Sequence, residues 1–203
     1  MTGENLDVDA PQPGGRKPAP GTFAVLQAFL NTHYDLAGER GGEILCSADA
    51  LRDWLAARRL IDSQKRLDDP DLARVVAVRE GLRALALANN NQQLNTRAVQ
   101  ALRQASTGAA TDIHIEPDGP VFVVGADAGI DGALGALLAI TATAMIDGSW
   151  PRLKACPGRH CGWAFYDHSR NQSARWCSMK VCGDRDKARS YYQRTTIAKK
   201  GSR

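Results

Sequence analysis

The chain has 203 residues, 43% hydrophobic and 6% aromatic, with a formal net charge of +4. That length suits one medium domain with a small satellite and a real core, and few aromatics beside abundant Ala and Leu favour a helical protein. The longest uncharged apolar run, 132–146, is too short to cross a bilayer. The N-terminus lacks the basic-then-apolar order of a signal peptide, so a cytoplasmic protein with no membrane partner is expected.

In chain order, residues 1–20 hold Pro11, Pro13, Pro18 and Pro20 with Gly3, Gly14 and Gly15. This composition predicts a disordered leader. Phe23, Leu26 and Leu30 then recur at helical spacing behind Thr22 at the cap position, and a polar loop follows. Ser47 caps a second helix carrying Leu51, Trp54 and Leu55, and Asp69-Pro70 opens a third that runs to the asparagines at 89–91. A fourth helix covers roughly 94–105. TDIHIEPDGPVFVVG alternates, turns and returns, which predicts a β-hairpin near 112–125. An apolar helix capped by Asp131 leads to Gly148, Ser149, Trp150 and Pro151, which mark a boundary. The expected fold class is mainly α with a β-hairpin (α+β). A helical domain over 21–149 precedes a small C-terminal module over 150–203.

Four of the five cysteines lie in that module: Cys156, Cys161, Cys177 and Cys182, as two Cys-x4-Cys pairs fifteen residues apart. Reduced thiols paired in this way bind metal more often than they form disulfides, and four convergent sulfurs suit one structural zinc ion. His160 and His168 are the rival ligands, but His160 adjoins Cys161 and four thiolates already fill a tetrahedron. Residues 162–166 favour a strand with 174–176 returning as its partner, and Asp184 is placed as N-cap of a following helix. Knuckle, hairpin and helix resemble a treble-clef zinc finger.

The charge is polarised: residues 150–203 carry 13 Lys and Arg against 3 Asp and Glu, or +10, and the preceding part is −6. A basic block on a metal-ordered module is the footprint of a nucleic-acid binder. The candidate contacts are Arg175, Lys180, Arg185, Lys187, Arg189 and Arg194, with Tyr191 and Tyr192 beside them.

CPGRHCGWAFYDHSRN and RWCSMKVCGDRDKARSYYQR, supported by FLNTHYDLAGE, SADALRDWL and VREGLRAL, resemble the CGNR zinc-finger proteins. In these an N-terminal ABATE domain precedes the finger, and they are described as stress-induced transcription regulators. The resemblance covers nearly everything after residue 20. It implies zinc on the same four cysteines and DNA as the partner. One departure stands in the signature, where Cys182-Gly183-Asp184-Arg185 has Asp for the family's Asn. Asp caps a helix as well as Asn does, but a carboxylate there repels phosphate.

His33 and Arg79, with Tyr34, Asp35 and Arg83 nearby, are candidates for a ligand pocket in the helical domain. Surface polar groups and a buried charge are the alternatives. Cys46 reads as a small core residue. A closed four-sulfur site has no open position for water, and no hydrolase spacing or paired metal carboxylates occur, so no catalytic residues and no enzymatic activity are expected. The sequence thus points to a DNA-binding regulator whose helical domain senses a small molecule or partner protein, or forms a homodimer. The alternative is a protein-interaction or RNA-binding finger.

Overall fold

The computed structural model describes residues 12–34, 42–119, 121–126 and 129–201. Six helices and three two-stranded antiparallel ribbons make up these residues. The fold is α+β, as expected.

The helices form where the sequence places them, and their caps explain most of the boundary differences. Helix α1, Phe23–Leu30, starts without a side-chain cap from Thr22. Strands β1, His33–Tyr34, and β2, Gly42–Glu43, pair behind it, and Asp35 of the candidate pocket group lies outside the described residues. In α2, Ala48–Ala57, the Ser47 hydroxyl accepts from the Ala50 amide as predicted. Helix α3, Asp69–Ala88, is capped by Asp68 rather than Asp69, because Asp68 and Asp71 form a reciprocal capping box. Asn95 caps α4, Thr96–Ala105. The hairpin is β3, Thr111–Ile115, with β4, Val121–Gly125, in the register Ile113 opposite Val123. Its base lies directly on α5, Ile130–Ile146: a Cβ added at Gly125 would sit 2.0 Å from the Gly132 carbonyl oxygen. Asp131 is not the cap of α5. It lies in the first turn and pairs with Arg74 at 2.6 Å.

Strands β5, Leu153–Ala155, and β6, Ala164–Tyr166, bracket the first cysteine pair and bond to one another. The expected partner of 162–166 is 174–176, but β6 pairs with β5 instead. A buried ion pair takes the place of that return strand. Lys154 Nζ bonds Asp167 Oδ2 at 2.9 Å and also reaches the carbonyls of Gln172 and Ala174. Asp167 in turn accepts from the Ala174 amide and from the amide and hydroxyl of Ser169. The loop 167–174 is therefore wound round one charge pair instead of forming a ladder.

Alternation along β5 and β6 makes this ribbon a shared wall. Leu153, Ala155, Ala164 and Tyr166 join the large core with Phe23, Leu26, Leu30, Val78, Leu82 and Leu134. Phe165, from the other face, joins Trp163 and the four cysteines in a second cluster. Helix-end amides staple the wall to the helices. Asn31 exchanges two hydrogen bonds with the backbone of Ala164, at 2.9 and 2.7 Å. Asn89 donates to Trp150 and Leu153, and Asn90 to Ala155 and Arg175.

The predicted leader through residue 20 needs correction over its described part. Ala19 is buried in the large core and Gln12 is 8% exposed. A tight turn at Pro13–Gly15, with extended backbone at Gln12 and Arg16 on either side, delivers specific polar groups onto the body, so low hydrophobicity there does not mean solvation.

Because the ribbon belongs to both clusters, the C-terminal module and the helical domain should unfold in one transition in urea, with tryptophan fluorescence and far-UV circular dichroism coinciding. Asp167→Asn strands a buried ammonium and should cost about 3–5 kcal/mol. Burial pushes the Asp167 carboxyl up, but Ser169, Lys154 and the Ala174 amide outweigh it and hold it below the usual range. Its contribution is therefore present above the unfolded value of about 4 and is lost as pH falls through the folded one. A wild-type acid limb that Asp167→Asn flattens checks the sign.

Candidate metal centre

Pro157-Gly158 turns the chain so that the Cys161 amide donates to the Gly158 carbonyl at 2.9 Å. His160 sits in the left-handed region at φ 58, which brings Cys161 back beside Cys156. The second pair is organised differently. Ser178, not Asp184, is the N-cap: its hydroxyl accepts from the Val181 amide, and one wide helical turn, Met179–Gly183, carries Cys182 into α6, Asp184–Gly201. The wide Cys-x4-Cys spacing thus ends on a helical turn rather than on a second tight knuckle.

The four sulfurs lie within 4.8 Å of one another and every one of these cysteines is buried. Cys161 and Cys177 sulfurs are 3.6 Å apart, and those of Cys177 and Cys182 are 3.7 Å apart. Tetrahedral zinc with bonds of about 2.3 Å separates its sulfurs by about 3.8 Å, whereas a disulfide needs about 2.05 Å. The donor set therefore fits one zinc ion. Without a cation the thiols oppose one another. Hydrogen bonds from Cys161 and then Cys177 draw the Cys156 thiol well below its usual range. Contact with Cys156 pushes Cys161 and Cys177 up, and burial pushes up Cys182. A divalent ion removes that conflict. The cradle is tight: a Cβ on Gly158 would stand 2.9 Å from the Cys182 sulfur.

Neither histidine joins the sulfurs. His160 Nε2 accepts from Arg159 Nε at 3.0 Å, and His168 Nε2 lies 3.0 Å from the Pro18 carbonyl oxygen. Cys46 is exposed, contrary to the expectation of a core thiol.

The candidate nucleic-acid contacts Arg175, Lys180, Arg185, Lys187, Arg189 and Arg194 are all exposed. Arg185 and Arg189 share a small niche with Arg159, Gly158, Asp186 and Cys182, so the first knuckle adds an arginine that the sequence reading did not single out. Arg175 stacks over Trp176 at 4.9 Å. The Asp184 carboxylate faces Lys187 at 3.7 Å, not Arg185 or Arg189.

The candidate pocket pair is divided. His33 lines a groove of ≈ 480 Å³ between the helical domain and the first knuckle, with Tyr34, Glu80, Arg83 and His160. Arg79 does not reach it. Its side chain is 2% exposed and is consumed by Glu43 at 2.6 and 2.7 Å, Thr32 at 2.9 Å and Glu80 at 2.8 Å. One turn on, Arg83 takes the place assigned to Arg79. It bonds Glu80, the Leu30 and His33 carbonyls, and the Gly162 carbonyl of the knuckle. Nothing in the helical spacing tells Arg79 from Arg83; only the fold decides which one meets the finger.

Gly158→Ala should lower zinc affinity about 10–100-fold, the range for disturbing groups that support a zinc site, read by competition with a chromophoric chelator. Cys177→Ser should lose the ion altogether. Stoichiometric zinc in either variant at wild-type affinity contradicts the ligand geometry.

Two family models match the chain. The CGNR zinc finger matches residues 152–195, and the model described as "Putative stress-induced transcription regulator" (ABATE) matches residues 24–148. No curated protein matches the chain. With the ABATE match spanning more than half of the sequence and the cysteine cluster inside the second match, the chain belongs to the ABATE family and carries a C-terminal CGNR zinc finger.

Proposed function

We propose that this protein regulates transcription by docking its zinc finger on duplex DNA, with α6 as the contact element and the helical domain as the sensor. The observation that carries the reading is the placement of positive charge on a helix that leaves the body. Helix α6 has 18 residues, about 27 Å at 1.5 Å per residue, and it is anchored at its first turn by Cys182 and the wide turn before it. Arg185, Arg189 and Arg194 project from it, and Arg175 and Lys180 flank its start. Tyr191 and Tyr192 are 60% and 69% exposed, so neither packs into the core. Such a helix suits a groove, with its arginines on phosphates and its polar face toward base edges.

Asp184 pairs with Lys187, one of the six candidate contacts, and leaves Arg185 and Arg189 to the niche that they share with Asp186. The zinc centre is read as structural, since four sulfurs complete the tetrahedron and leave no place for water; the protein on this reading is a regulator and not an enzyme. The groove beside His33 and Arg83 is the natural seat for an effector, because Arg83 touches both its wall and the knuckle.

Mobility-shift titrations of duplex DNA at several salt concentrations should give a steep log–log slope. Arg185→Ala and Arg189→Ala should each reduce that slope by about 1 and weaken binding evenly across sequences. Preference for single-stranded RNA, lost on Tyr191→Ala or Tyr192→Ala, would instead establish the RNA-binding reading. Absence of any nucleic-acid binding at low salt would refute both.

A further inference from the structure

Gln12 and Arg16 lie in neither matched segment, yet both bond to the zinc finger. Arg16 Nε donates to the Cys177 carbonyl at 2.7 Å and Nη2 to the Trp176 carbonyl at 2.8 Å. Its guanidinium lies 4.8 Å from the centre of the Phe165 ring. Gln12 Oε1 accepts from Trp163 Nε1 at 3.0 Å, two residues beyond Cys161, and from Gln27 Nε2 of α1 at 2.7 Å. Between them Pro13–Gly15 makes a tight turn in which Gly14 and Gly15 adopt φ of 72 and 68. This turn presses Gly14 onto Ser178, the cap of the Cys182 turn: a Cβ there would meet Ser178 Oγ at 3.0 Å. Further along, Pro18 meets His168, and the Ala19 amide donates to Gln27 Oε1 at 2.7 Å.

We propose that residues 12–19 form a clasp that holds the two cysteine pairs together, with Arg16 as the positioning residue for the second pair. The clasp touches the first pair's outgoing strand through Gln12 and the second pair's backbone through Arg16, and it is moored to α1 through Gln27. Each zinc-bearing turn is short, and its backbone direction sets where its sulfurs point. Fixing the carbonyls of Trp176 and Cys177 from outside therefore keeps Cys177 facing Cys156 and Cys161. Two parallel donors from one planar guanidinium suit this task, and an ammonium reproduces only one of them. An event that lifts the clasp loosens the finger's hold on its metal, so zinc retention becomes a property of the N-terminal segment as well as of the cysteines.

The test uses the zinc-loaded full chain. Zinc release into excess chelator is followed by absorbance, and hydrogen exchange is read peptide by peptide. Arg16→Ala should release zinc about tenfold faster, the scale of losing hydrogen bonds from a charged group. Arg16→Lys should fall between it and wild type, and Lys17→Ala, an exposed neighbour, should match wild type. Exchange should quicken at 176–183 while α3 keeps its protection. Wild-type release from Arg16→Ala overturns the proposal. So does faster release that comes with equal loss of protection across α3, which marks general destabilisation instead of a clasp.

Discussion

Four thiolates held within 4.8 Å cannot all stay ionised in a buried site without a cation among them. That electrostatic constraint organises the C-terminal third of the chain. It sets the two turns that carry the cysteines and aims the start of α6. Trp163 and Phe165 pack with the four cysteines, while Arg185, Lys187, Arg189 and Arg194 of α6 are exposed.

The finger is not a bead on a string. Its first ribbon is one wall of the helical core, and the staples at Asn31, Asn89 and Asn90 cross that wall from helix ends. Arg83 joins the knuckle at Gly162, Arg79 and Glu43 brace β2 behind it, and Glu80 accepts from both arginines. Glu80 is held below the usual carboxylate range: burial pushes it up, and Arg83 and then Arg79 outweigh this. A change in the groove beside His33 thus has a short polar route to the metal-bearing turn. On the proposed reading, an effector bound in that groove acts on the finger through this route.

Much of this was legible in the residues. Cysteine spacing gave the metal centre because tetrahedral thiolate chemistry tolerates few arrangements, and period-two alternation gave the β3–β4 hairpin. The misses depend on polar partners, some close in the chain and some distant. Asp68 rather than Asp69 caps α3 because Asp71 closes the box, and the return strand at 174–176 is displaced by the Lys154–Asp167 pair. Arg79 and Arg83 look alike until Glu43 claims the first. The segment from Gln12 to Ala19 reads as a disordered leader by composition, since nothing local reveals that Arg16 will find two carbonyls 160 and 161 residues away. A run of asparagines at the end of an apolar helix was the one available signal of the staples.

The central claim is that one zinc ion, held by the four cysteines alone, locks the finger. X-ray absorption at the zinc edge on the purified full chain tests it most directly. The account predicts a single shell of four sulfurs at about 2.3 Å. A shell containing nitrogen or oxygen at about 2.0 Å would contradict it, because the four cysteine sulfurs would then not complete the tetrahedron.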